Sequence, residues 1–360
     1  MDLERYLEEF TERDWQVTDP DEGTLRIAMV GLGWWVREKA IPAVRDTELC
    51  ETTALVSRTK ESAEQLASQV ETVETALSDE EFHDGEATDA YDAVYVSTPN
   101  GTHLEYVETA AEHGKAVLCE KPLEASVDRA ERMVETASAN DAPLMVGYRM
   151  HIEPAVRRLQ ELLDSGLLGD PVQIHGHKSQ PLLEVIPDPD QWRLDPELAG
   201  PGATVTDLGV YPFNTIRFIL DSDPVAVESR MVSNHEAFSD VPDEHATFTL
   251  EFPDDVFAVC TASQNAAQSS FLQVVGSKGT ARLDPAFSPD QPRHLSVTRG
   301  TTAIETTFSQ VDQMCEEFDY FADCVISGRS PTADGEHGLV DMQILDAIYH
   351  SAERGERIRL

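Results

Sequence analysis

The chain has 360 residues, enough for two domains that each bury a core. It carries 67 acidic residues against 27 lysines and arginines, a formal net charge of −40, and 41% of its residues are hydrophobic. Such a surface makes nucleic acid and anionic membrane poor partners, no apolar run is long enough to span a bilayer, and the regular strand and helix patterns exclude disorder.

Residues 1–24 read as an acidic arm with one short helix at Leu3–Phe10. From Leu25 the pattern becomes strand–helix–strand. Strands are predicted at residues 25–30, 52–57, 93–97, 116–120 and 144–148, and helices at 35–46, 60–69, 103–113 and 126–139. This alternation means a doubly wound, mostly parallel Rossmann sheet over residues 25–148. After Tyr148 the grammar changes. A helix at 154–164 and a strand at 171–179 lead into a Pro-rich loop from Gln180 to Gly202, and a further helix covers 211–220. Seven alternating segments then follow without crossover helices: 225–233, 245–252, 256–263, 272–275, 280–283, 295–298 and 303–308. Helices at 316–325 and 339–352 close the chain. Runs of strands of this kind predict a large, mostly antiparallel open sheet in a second domain, 149–360, for substrate binding and oligomerisation.

Only 6 of the basic residues are lysines and 21 are arginines, while the acids are spread along the whole length. At this charge a folded chain repels itself in low salt, and screening shortens the Debye length to about 3 Å at 1 M. The composition points to an enzyme of a salt-rich cytoplasm. The five cysteines have no metal or redox spacing, and Cys119 and Cys260, in apolar runs, read as core residues. No signal-peptide pattern opens the sequence.

Val30-Gly31-Leu32-Gly33-Trp34-Trp35 links the first strand to the first helix. Gly31 suits the tight turn, and Gly33 lets the backbone approach a pyrophosphate at the helix N-terminus. The third fingerprint position is Val36, where Gly or Ala is usual. The second strand ends Ser57-Arg58-Thr59-Lys60 with no acid for a ribose hydroxyl, so NADP is favoured over NAD. In Ser97-Thr98-Pro99-Asn100-Gly101-Thr102-His103, Thr98 and Asn100 are candidates for ribose and nicotinamide, and His103 either joins them or packs into its helix. Glu120-Lys121-Pro122 follows a buried strand and puts a lysine at the carboxyl edge, where open α/β sheets bind ligands. Burial readies such an amine for proton exchange. His175 and His177 share one face of a strand with no further ligand nearby, so no metal is expected.

The glycine turn, Ser-Thr-Pro-Asn with its following His, Glu120-Lys121-Pro122 and Asp207-x-x-x-Tyr211 together resemble the glucose–fructose oxidoreductase and inositol dehydrogenase family, from about Leu25 to the C-terminus. Within it, Trp34-Trp35, the run Tyr148–Pro154 and Gln191-Trp192-Arg193 resemble the NADP-dependent branch acting on D-xylose in salt-loving microbes. The resemblance implies oxidation of a cyclic aldose at C1 to the aldonolactone. It maps the catalytic lysine on Lys121, beside Glu120 and before a proline whose peptide bond is expected cis, and the catalytic pair on Asp207 and Tyr211. A phenol is a poor base at neutral pH unless a nearby ammonium stabilises its anion, so Lys121 and Tyr211 are expected to form a proton-transfer pair. Arg149, His151, Trp192 and Arg193, with Asp207 and Tyr211, are the expected sugar contacts. A sugar or inositol dehydrogenase, a sugar–sugar oxidoreductase with tightly held NADP, and a regulator without catalysis are the alternatives. A homo-oligomer, dimer or tetramer, is expected through the second sheet.

Overall fold

The structure, a computed structural model, describes residues 13–19 and 23–360; the expected helix at Leu3–Phe10 lies outside them. The described residues form two compact units. The first comprises Asp14–Arg149 and Asp312–Met342, the second Met150–Val311 and Gln343–Leu360.

The first unit is built on six parallel strands in the order β3-β2-β1-β4-β5-β6. They are β1 Leu25–Val30, β2 Cys50–Ser57, β3 Thr75–Ser78, β4 Ala93–Val96, β5 Ala116–Cys119 and β6 Leu144–Val146. Every residue of β4 and β5 is buried, as expected of strands covered on both faces. The order reverses between β1 and β4, which places the ends of β1, β2, β4 and β5 at the switch point where such sheets bind ligands. Two details depart from the sequence reading. β3 and the short helix Asp79–His83 were not anticipated, because Thr75-Ala76-Leu77-Ser78 offers a single buried apolar side chain. The helix after β1 is not α throughout: beyond Trp34 and Trp35 it widens into a π turn, Val36–Ala40, followed by the α-helix Ile41–Arg45.

A late segment completes this unit. The helix Gln313–Ser327 uses two buried carboxylates to receive backbone amides: Asp319 Oδ1 accepts from Glu48 and Leu49, both at 3.0 Å, and Asp323 Oδ1 from Val17 and Thr18 at 2.9 and 2.6 Å. Beyond it, Asp334 bridges Met145 on β6, and Val146 donates to Ala333 O at 2.8 Å.

The second unit is built on nine strands in the order β14-β13-β12-β11-β7-β10-β9-β8-β15. They are β7 Pro171–Pro181, β8 Ala226–Val232, β9 His245–Glu251, β10 Phe257–Ser263, β11 Asn265–Gly276, β12 Gly279–Asp284, β13 Arg293–Arg299, β14 Thr302–Phe308 and β15 Ile358–Arg359. All neighbours run antiparallel except β7 and β10. β11 is far longer than the apolar run Leu272–Val275 suggests, since its first half, Asn265-Ala266-Ala267-Gln268-Ser269-Ser270, is polar and mostly exposed. The Pro-rich segment after β7 holds short helices at Leu182–Val185 and Pro196–Ala199, with Leu182, Leu194, Ala203, Phe238 and Val241 as its core.

Candidate active site

In the first unit, Gly31 closes the turn after β1 with φ of +85°, and a Cβ there would lie 2.4 Å from Ser97 O and 2.7 Å from Thr98 Cγ2. Only glycine permits this backbone conformation and this approach to the loop after β4. A Cβ on Gly33 would meet nothing within 4 Å, so its backbone borders open space. A turn pinned behind by Gly31 and open at Gly33 fits a dinucleotide pyrophosphate. Val36 is fully buried and begins the π turn. The wider winding gives room to a side chain where the usual fingerprint brings helix and strand together with glycine.

At the end of β2, Ser57 is half-buried and Arg58 exposed. Thr59 caps the helix Lys60–Ala67 by accepting from Ser62 N. Lys60, expected at the cofactor, is instead ion-paired with Glu81. Of the two readings of His103, the structure shows the packed one. Its ring is fully buried, and both nitrogens lie 3.0 Å from backbone carbonyls, those of Leu123 and Thr98. It ties the loop after β4 to the segment after β5. Thr98 also accepts from Thr102 Oγ1 at 2.9 Å, and Asn100 is buried in the following 3-10 turn.

The Lys121 turn is anchored through its neighbour. Trp35 Nε1 donates to Tyr95 Oη at 3.0 Å, Tyr95 Oη donates to Glu120 Oε1 at 2.7 Å, and the Lys121 N–H donates to Glu120 Oε2 at 3.3 Å. Burial, then the Glu120 carboxylate, pushes the Tyr95 phenol well up, which keeps it a donor. The Lys121–Pro122 bond is cis, as expected. Arg149 sets its guanidinium 5.6 Å from the Trp35 ring, whereas Trp34 is 66% exposed. Glu317, from the late helix, had no signal in the sequence. It is buried, and burial followed by Glu120 pushes its carboxyl well up, with Arg149 opposing.

In the second unit, Asp207 lies in a π turn, Val205–Gly209, that runs into the α-helix Val210–Leu220 bearing Tyr211. The N-terminus of this segment is seated on Asp243. That carboxylate is fully buried and accepts from the amides of Ala203, Thr204 and Val205, each at 2.8 Å, and from Tyr349 Oη at 2.6 Å. Burial pushes the Asp243 acid up, and the four donors pull against it. Gln264 Nε2 donates to Asp207 Oδ2 at 2.9 Å, and Gln264 Oε1 accepts from Gln180 Nε2 at 2.8 Å. Arg193 Nε stands 3.7 Å from the same Asp207 oxygen, and its guanidinium lies 4.5 Å from the Trp192 ring. The structure therefore brings Trp192, Arg193 and Asp207 together, and Lys178 Nζ lies 3.1 Å from the centroid of the Tyr211 ring.

His151 does not join this group. It is buried, stacks on Phe218 at 4.2 Å and pairs its Nε2 with Asn214 Oδ1 at 3.0 Å, so it holds the Tyr211 helix from inside the unit. His177 is engaged by Thr261 and Ser179 at 2.7 and 3.1 Å. Among the described residues no cluster of metal-ligating side chains occurs. Gln264, Asp243 and Lys178 went unnoticed in the sequence, and for Lys178 the scarcity of lysine was the available signal.

Residues 25–148 match the model for the NAD-binding Rossmann fold of an oxidoreductase family, and residues 156–282 match the GFO/IDH/MocA C-terminal domain. The chain is 53% identical, over the full length of both, to the D-xylose 1-dehydrogenase [NADP(+)] of Haloarcula marismortui. It is 31% identical to the D-xylose 1-dehydrogenase (NADP(+)) 2 of Haloferax volcanii, over 94% of this chain and 99% of that one. Among solved structures it is similar to the aldose-aldose oxidoreductase of Caulobacter crescentus, with a TM-score of 0.87 at 29% identity, covering 94% of this chain and all of the other. The chain belongs to the GFO/IDH/MocA family of oxidoreductases.

Proposed function

We propose that the chain oxidises a cyclic aldose at C1 to its aldonolactone with NADP, and that D-xylose is the sugar. The observation that carries this reading is the 53% full-length identity to a D-xylose 1-dehydrogenase [NADP(+)], together with a β2 end that offers Ser57 and Arg58 and no acid. Bound NADP supplies the hydride acceptor at nicotinamide C4. Gly31 and Gly33 hold the pyrophosphate, Ser57 and Arg58 the 2′-phosphate, and Thr98 and Asn100 the ribose and nicotinamide.

Tyr211 takes the proton of the C1 hydroxyl as the carbonyl of the lactone forms. Lys121 stabilises the charge that develops on that oxygen or relays the proton. Asp207, steadied by Gln264, orients the sugar, and Trp192, Arg193 and Arg149 contact its hydroxyls. Residues 25–148, completed by Asp312–Met342, form the cofactor domain, and Met150–Val311 with Gln343–Leu360 the substrate and oligomerisation domain, a dimer or tetramer assembling through the nine-stranded sheet. Alternate side chains along β12 and β13 stay exposed or half-exposed, which suits such a contact. The net charge of −40 suits a salt-rich cytoplasm, and no helix among the described residues is long and apolar enough to cross a membrane.

The test is NADPH absorbance with a panel of aldoses at high salt. D-Xylose is expected to give the highest kcat/KM, and Tyr211→Phe and Lys121→Ala each to lose most turnover while still binding NADPH. No reduction with any aldose, or near-normal turnover in both variants, would sink the reading.

A further inference from the structure

In the second unit, β7 passes so close to the Tyr211 helix that Gly176 has no room for a side chain. A Cβ there would lie 2.6 Å from the Cβ of Pro212. Alternate residues of a strand point to one face, so Gly176 and Lys178 address the same helix. Gly176 admits Pro212, and Lys178, two residues on, reaches Tyr211, the residue before that proline. The ammonium lies 3.1 Å from the ring centroid, well inside the roughly 6 Å range of a cation–π contact. Phe287 flanks the same ring at 6.1 Å and 45°. Both Lys178 and Tyr211 are half-buried, so water screens the pair only in part.

Composition sharpens the point. The chain has 6 lysines against 21 arginines and 67 acids, so lysine is not its ordinary cation. A cation placed by β7 over the face of Tyr211 calls for a function at that ring.

We infer that Lys178 is a positioning residue for Tyr211, fixing the plane of the phenol and stabilising the negative charge its ring carries during proton transfer. The inference rests on the reading of Tyr211 as the group that takes the C1 proton. As that O–H bond breaks, a new one forms on the Tyr211 oxygen, and the charge moves from tyrosine to the sugar oxygen. An ammonium over the ring face attracts the aromatic quadrupole and, more strongly, the anionic form. Lys178 acts through its charge over the ring and exchanges no proton with the substrate.

The experiment compares Lys178→Met, which keeps most of the aliphatic stem, with Lys178→Arg in the full chain at high salt. Lys178→Met is expected to lower kcat about tenfold with the KM for NADP unchanged, and Lys178→Arg to restore most of that loss, because a guanidinium also stacks on an aromatic face. The near-ultraviolet tyrosine spectrum of the enzyme without sugar is expected to change in Lys178→Met. The same substitution on a Tyr211→Phe background should leave it unchanged. A kcat for Lys178→Met within twofold of the unaltered enzyme, equal losses in the Met and Arg variants, or an unaltered tyrosine spectrum would each overturn the inference. Normal turnover in Tyr211→Phe would remove the reading of Tyr211 and the role of Lys178 with it. A normal Lys178→Met beside an inactive Tyr211→Phe would overturn the inference about Lys178 alone.

Discussion

Asparagine at position 243 would keep the size of the side chain and remove its charge. In the structure Asp243 Oδ1 receives the Ala203 amide, and Oδ2 receives the Thr204 and Val205 amides and the Tyr349 hydroxyl. An amide has one acceptor oxygen, so Asp243→Asn turns an NH2 toward one of these sets and leaves at least one buried amide without a partner. Each buried donor left unmatched costs about 1–3 kcal/mol, and loss of a helix N-cap about 0.5–2 kcal/mol. Because these describe the same bonds, the net local cost is about 3 kcal/mol, or roughly 150-fold in an opening equilibrium. Hydrogen exchange of peptides spanning residues 202–211, measured at high salt, reads this directly: protection at Ala203, Thr204 and Val205 should fall by about two orders of magnitude. Turnover should fall with it, because Asp207 and Tyr211 ride on the segment those amides seat. Unchanged exchange at these amides, with an unchanged unfolding temperature, would refute the idea that Asp243 holds the segment in place.

Other expectations follow from single features. Arg58→Ala should raise the KM for NADP by about 10- to 100-fold, the value of a charge-assisted contact to phosphate, and leave NAD kinetics unmoved; equal effects on both cofactors would count against a 2′-phosphate site. Gly31→Ala puts a Cβ 2.4 Å from Ser97 O at a φ of +85°, so it should cost about 1–3 kcal/mol and weaken NADPH binding in a fluorescence titration. Wild-type affinity and unfolding temperature in that variant would contradict the cradle. Alongside Asp92 and Asp323, whose carboxyls are likewise held below their ordinary values, Glu244 contributes to the acid response. Burial opposes its ionisation, but Asn265 and the amides of His235 and Asn234 outweigh burial and bring its pKa from 4.5 to about 2. With the folded value below the unfolded one, its contribution is full above pH 4.5 and is lost as pH falls toward about 2. Glu244→Gln should flatten the fall of the unfolding midpoint across that window, and an unaltered slope would exclude the carboxylate as its source.

Most of the parallel sheet was legible because β4, β5 and β6 are unbroken, fully buried apolar runs and β1 and β2 carry such runs, whereas β3 has one buried apolar side chain and was missed. The turn stood out through its paired glycines, of which Gly31 holds a backbone conformation few other residues tolerate. β11 was half hidden, since its first half carries no apolar pattern: Asn265–Ser269 are exposed, and only Asn265, Ser269 and Ser270 pair with β7, across a register shift. The site was legible where chemistry and sequence neighbourhood coincide, as at Glu120-Lys121-Pro122. It was opaque where the fold brings distant residues together, as with Gln264 on Asp207, Asp243 under Val205, and Lys178 over Tyr211. His151 misled because imidazole suits sugar recognition equally well as it suits stacking on Phe218, and only packing separates the two. Lys60 misled in the same way, its charge being matched by Glu81.

The carboxylates of Asp319 and Asp323 bear on the order in which the protein is made. All six strands of the parallel sheet have been synthesised once Val146 is translated, yet the side chains that receive the amides of Thr18 and Leu49 come roughly 170 residues later. At about 5–20 residues per second, that interval is on the order of ten to thirty seconds. Through that time the nascent chain holds a nucleotide-binding sheet whose flank is unfinished, while the whole of β7 to β14 is being synthesised. A chain released early, before Asp312–Met342, therefore lacks part of its first unit as well as the end of its second. Maturation of the cofactor half waits on nearly the last stretch of the message.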